Sequence, residues 1–116
     1  MTGLSAADVV LHADAQGDFA VLAERGDKAA RTILAKARAL RPVLLKDCLH
    51  GAVVKKARAP KALATRYHLE SLYIKDLPDF WRMLYTIQKV AGERYVVVLR
   101  IVDHATYDRW FPGRGR

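Results

Sequence analysis

The spacing of apolar and polar positions divides the chain into a first half of helical period and a second half of strand period. Val9, Val10 and Leu11, followed by the turn formers Asp14 and Gly17, read as a short first strand or an extended lead-in. Phe19, Leu22 and Ala23 then recur at helical spacing and stop at Gly26, which can take the left-handed conformation that helix ends favour. Asp27 is placed to cap a second helix. From Lys28 onward, Ala30, Ile33, Leu34, Ala37, Leu40 and Leu44 form one apolar stripe, while Lys28, Arg31, Lys36 and Arg38 lie around the other faces. Pro42 lacks a backbone donor and predicts a kink or a break, with Val43 to Leu49 as a last turn or separate piece. So short a link between the two helices implies an antiparallel pair.

Beyond Gly51 the period changes. Residues 53 to 66 carry five basic side chains and no acidic one, and Pro60 should interrupt any regular element. They read as an exposed basic connector with an edge strand at Val53 to Lys56. Leu69 to Leu77 and Phe80 to Ile87 read as strands reversing at Asp76, Pro78 and Asp79. A third strand, Arg94 to Val102, is β-branched enough to suit a central position covered on both faces. Short links make these strands antiparallel neighbours. After Asp103, a possible cap, the tail HATYDRWF predicts one or two helical turns packing through Trp110 and Phe111, and the last residues, PGRGR, read as a frayed end. The expected class is α+β: an N-terminal helical hairpin on a small antiparallel sheet, closed by a short C-terminal helix. At 116 residues the chain suits one domain spanning 1 to 116.

Composition narrows the chemistry. An apolar share of 52% with 28% charged residues excludes disorder, and no apolar run approaches the roughly 20 residues of a membrane span. The N-terminus lacks the basic start of a secretory signal, so the cytoplasm is the expected compartment. Cys48 is the single cysteine, which excludes an internal disulfide and a cysteine-based metal cluster. His12, His50 and His68 show no metal-ligand spacing. Net charge is +8, and residues 51 to 116 hold thirteen basic against six acidic side chains, while residues 1 to 50 hold seven against six. Such a field concentrates polyanions, nucleic acid foremost, although an acidic protein partner or mere solubility would use it equally.

A loop centred near Ala91 would place Arg82 across from Arg100 on one sheet face. Two guanidiniums so placed repel until a phosphate, or a partner's carboxylates, lies between them.

The runs LYIKDLPDFWRMLYTI (72 to 87) and YVVVLRIVDHATYDRWF (95 to 111) resemble the C-terminal half of RelE/ParE-type toxins of bacterial and archaeal toxin and antitoxin modules. The similarity is to a subgroup with a strand reading Leu-Pro, two residues, Trp-Arg, two residues, Tyr, and a tail reading Asp-His, two residues, Tyr-Asp. The preceding HGAVVKKARAPKALATRYHLESLY is similar to that subgroup's loop, so the resemblance covers about residues 50 to 111. It implies a sheet packed against a helical hairpin. It also implies an endoribonuclease acting on messenger RNA, usually on the ribosome, with no metal or other cofactor. The ribose 2′-hydroxyl would attack the adjacent phosphate, which requires a base, an acid and positive charge for the transition state.

By the same resemblance, Lys75 and Arg82 match a functional lysine and the strand arginine seven residues on. His104 falls in the basic position after the last strand, and Tyr107 near the family's tail aromatic. Arg82, with Lys75 and Arg100, would hold the scissile phosphate, and His104 would move a proton near neutrality. Tyr107 would orient the ribose or act as the second proton carrier. Lys55, Lys56, Arg58, Lys61 and Arg66 would hold RNA backbone, and Trp81 or Trp110 would stack a base. The expected partners are an antitoxin with an acidic, partly disordered segment, messenger RNA and the ribosome, with a homodimer or a hetero-oligomer with antitoxin as the assembly. Tyr73 stands where the best-understood nucleases have a second lysine, and no acid is evidently placed as base. That departure keeps open a gyrase-directed, ParE-like inhibitor or a degenerate toxin serving as a protein-binding module. Each side chain also has a plainer role: Arg82 as a cover for the sheet paired with Asp79 or Asp103, His104 as a locally bonded helix residue, and Trp110 and Phe111 as core.

Overall fold

A computed structural model describes residues 4–55 and 58–112. The chain begins with β1 (Asp8–Leu11), then α1 (Ala13–Arg25) and α2 (Lys28–Lys46). His12 caps α1, its Nδ1 accepting from the Asp14 amide at 3.0 Å, and Gly26 ends the helix at φ 64°. Asp27 stands at the N-cap of α2 without a capping bond, because its carboxylate is taken by Arg25. The six apolar positions of α2 are all buried. Contrary to the expected break, α2 runs through Pro42. The proline's missing amide deprives only the Arg38 carbonyl of its helical partner, on a side of the helix where Arg38 and Pro42 are both exposed to water.

β2 (Ala52–Val53) is shorter than expected, and the connector that follows contains a helix, α3 (Lys61–Tyr67). Pro60 precedes the helix as its N-cap, where it starts rather than interrupts it, and Leu63 and Tyr67 are buried beneath. β3 (Tyr73–Asp76) is confined to four residues, a 3-10 turn spans Pro78–Phe80, and β4 (Arg82–Val90) and β5 (Glu93–Val102) form the long hairpin. Asp103 caps α4 (His104–Trp110), its carboxylate accepting from the Thr106 amide at 2.9 Å.

The sheet order is β1-β5-β4-β3-β2. All pairs are antiparallel except β1 with β5, so the sheet is mixed, not antiparallel throughout. Both faces are covered. α1 and α2 bury one face around Met83, Tyr85, Val96, Val98 and Ile101. α3 and α4 bury the other around Ile74, Leu84, Leu99 and Val102. Central strands thus lose water on both sides, which accounts for the continuous apolar run in β5. The fold is α+β, with four helices and five strands among the described residues. No helix among them is long and apolar enough to cross a membrane.

One irregularity sets the geometry of the candidate site. The β4/β5 register shifts between Leu84 and Tyr85: Tyr85 pairs with Val98 but Leu84 with Arg100, so Leu99 is an extra residue. With Val90 opposite Glu93, a regular hairpin would set Arg82 opposite Ile101; the extra residue moves it on to Val102, two positions from the Arg100 expected for a loop centred near Ala91.

Candidate functional site

Arg82 opens β4 on the face that α4 covers. Its cross-strand partner is Asp76, whose Oδ1 lies 3.0 Å from the Arg82 Nε, and its guanidinium lies 4.9 Å above the Tyr107 ring. A further bond runs from its Nη1 to the Trp81 carbonyl at 3.2 Å. Tyr107 is buried, so its ring forms a floor for the cation. One helical turn earlier, His104 is exposed and its Nε2 lies 3.2 Å from Asp108 Oδ2. Asp103 is held below the usual carboxylate range by the hydrogen bond from Thr106.

The turn before Arg82 completes the cluster. Leu77 and Trp81 close it, the Leu77 amide donating to the Trp81 carbonyl at 2.9 Å. Within it, Asp79 and Phe80 both adopt φ 63°, a region that side chains with a Cβ rarely enter. The result is a phenylalanine ring 67% exposed, its centroid 5.7 Å from that of His104. Arg82, Tyr107, His104 and Phe80 thus gather at one end of the sheet, and Arg82 and His104 each have a carboxylate beside them. Phe80, Asp76 and Asp108 are not among the site residues expected from the sequence. Asp108 was legible, because a carboxylate four residues after a histidine shares its helical face. Phe80 was not, since nothing local announces two left-handed residues without glycine.

The remaining expected residues lie elsewhere. Lys75 pairs with Met83, whose side chain enters the core under α1 and α2, so Lys75 and Arg82 occupy opposite faces. Arg100 is held by Asp18, Nε to Oδ2 at 2.7 Å, and lies over the Trp110 ring at 5.4 Å. Asp18 also accepts from the Ile101 amide at 2.8 Å, satisfying a ladder group beyond the end of β1. Arg66 makes two bonds to Asp14, at 2.8 and 3.0 Å, with the Tyr67 hydroxyl donating to the same carboxylate at 2.6 Å. Arg66 and then Tyr67, as donors, hold Asp14 well below the usual carboxylate range, and the bonds to the Asp14 carboxylate raise Arg66 above its ordinary value. Lys55, Arg58 and Lys61 are exposed, and Lys56 lies outside the described residues. Trp81 packs against the core beneath α1 and α2 and Trp110 against the core of the other face, so neither is an open platform for a base. Among the described residues no cluster of histidine, cysteine or carboxylate side chains could hold a metal ion.

No protein-family model matches the chain. No curated protein and no solved structure matches it either.

Proposed function

We propose that this chain is a toxin of the RelE/ParE class, a metal-independent endoribonuclease whose reacting centre is Arg82 and His104. The observation that carries the reading is the meeting of Arg82, stacked on Tyr107, with His104 one turn away on the same helix. The helical hairpin α1 and α2 on the sheet further supports it, being the arrangement the family resemblance implies.

In this reading the Asp108 carboxylate orients the imidazole through Nε2, leaving Nδ1 to take the proton of the ribose 2′-hydroxyl. The 2′-oxygen forms its bond to phosphorus as the bond to the 5′-oxygen breaks, and that oxygen collects a proton from water as it leaves. A cyclic phosphate and a 5′-hydroxyl result. Arg82 offsets the charge growing on the phosphoryl oxygens once phosphate displaces the exposed Asp76 from its guanidinium. Buried Tyr107 is a positioning residue, holding Arg82 from below rather than exchanging a proton with the ribose. Lys55, Arg58 and Lys61 hold RNA backbone. An acidic antitoxin segment would compete for the same cations.

Expression of the chain should arrest growth, and Arg82→Ala and His104→Ala should each relieve the arrest while circular dichroism shows both variants folded. Full toxicity of both would reject the site. A ParE-like inhibitor without nuclease activity is the second reading, favoured by Lys75 lying on the face opposite Arg82. Messenger RNA that stays intact during arrest while DNA-damage signals rise would select it.

A further inference from the structure

Helix α2 carries six basic side chains, Lys28, Arg31, Lys36, Arg38, Arg41 and Lys46, and no acidic one. The whole chain has 20 Lys and Arg residues and a net charge of +8, and six of the 20 stand on this one helix. Of the three acids of α1, Asp14 is spent on Arg66 and Asp18 on Arg100, which leaves Glu24 against six cations. Arg41 pairs with Asp8, and Arg31 donates to the Gly26 carbonyl. Lys28, Lys36, Arg38 and Lys46 are exposed and have no ion-pair partner among the described residues.

Helical geometry aligns them. The buried stripe of α2 faces the sheet, and Lys28, Arg31, Lys36, Arg38 and Lys46 fall on the far side within an arc of roughly 160°, along about 27 Å of helix axis. Between them stand the exposed residues Thr32, Ala35, Ala39 and Pro42 and the half-buried Val43.

We propose that the outward face of α2 docks on the phosphate backbone of a structured RNA. A protein partner would be gripped through apolar or aromatic anchors, and none of the exposed large hydrophobic residues lies on α2. A membrane would require the helix to offer its apolar face, and that face is sealed in the core. Cations flanking small side chains are what a backbone of regularly spaced phosphates engages without reading sequence. Arg82 and His104 lie beyond the other face of the sheet, so one short strand cannot serve both places. The docked RNA is a large one, or a segment remote from the bond that is cut. The inference stands on binding alone and does not depend on cleavage at Arg82 and His104.

The test is the affinity of the full chain for a fluorescent RNA stem-loop across ionic strengths. The logarithm of affinity should fall linearly with the logarithm of salt concentration. Each of Lys28→Gln, Lys36→Gln, Arg38→Gln and Lys46→Gln should lower the slope by about one, and the combined variant by about three to four. Lys89→Gln, at the far end of the β4/β5 hairpin, should leave the slope unchanged. Slopes unaltered by the α2 variants would overturn the proposal. So would an equal drop with Lys89→Gln, which would reduce the effect to net charge. Polyglutamate binding as tightly as the stem-loop, with the same losses, would overturn it in favour of an acidic protein.

Discussion

Phe80 offers the sharpest test of how the candidate site is built, because its backbone conformation and its exposed ring make separable predictions. At φ 63° a residue with a Cβ is disfavoured by about 1–2 kcal/mol. Phe80→Ala keeps that penalty, and it loses the buried third of the ring, worth about 1 kcal/mol when full burial of phenylalanine is worth about 3 kcal/mol. Phe80→Gly loses the same burial but is freed of the steric penalty, against a chain-entropy handicap of about 0.5–1 kcal/mol relative to alanine. Glycine should therefore be the more stable replacement by about 0.5–1 kcal/mol, the reverse of the order at an ordinary position. Urea titration of both variants with a common denaturant slope resolves a difference of that size. Alanine equal to or better than glycine would refute the strained turn. If Phe80→Gly is nearly as stable as the parent and yet has lost toxicity, the strained turn serves to present the ring at the site.

Two other outcomes follow from the hydrogen bonding. The buried Tyr85 hydroxyl donates to the Cys48 carbonyl at 2.8 Å and accepts from the Gly51 amide at 2.9 Å, so Tyr85→Phe should cost about 2–4 kcal/mol in denaturant unfolding. Burial pushes this phenol up to about 12, so its contribution is complete below pH about 10 and is lost as pH rises toward 12; alkaline unfolding should lose that phase in Tyr85→Phe. At the acid end, Asp14 is depressed by Arg66 and Tyr67, so its contribution is present above pH about 4 and fades as acid protonates it. Stability of Asp14→Asn measured against pH should fall less steeply below that point than stability of the parent.

Much of the framework was legible residue by residue. The apolar stripe of α2, the stop at Gly26, the β4/β5 hairpin and the cap at Asp103 are local features, each encoded within a few positions. The failures were local signals read without their context. Pro42 sits where solvent can satisfy the carbonyl it orphans, and Pro60 stands just ahead of a helix instead of within one. The candidate site was legible in part. Arg82 and Tyr107 do meet, with His104 one turn from Tyr107, whereas a turn set one residue later than expected and the extra residue Leu99 together carry Arg100 away from Arg82, and strand alternation sends Lys75 to the other face.

What the sequence determined by itself was most of the inventory: the two long helices, the β4/β5 hairpin, the apolar stripe that must be buried, and a total charge of +8. Where that charge is free was decided by the tertiary structure. Counted along the chain, the second half is the electropositive one. In three dimensions its Arg66 and Arg100 are neutralised by Asp14 and Asp18 from the first half, and the cations without ion-pair partners on α2 come from the half that appeared balanced. Ion pairs form between neighbours in space, and strand register and helix packing choose those neighbours by contacts distant in sequence.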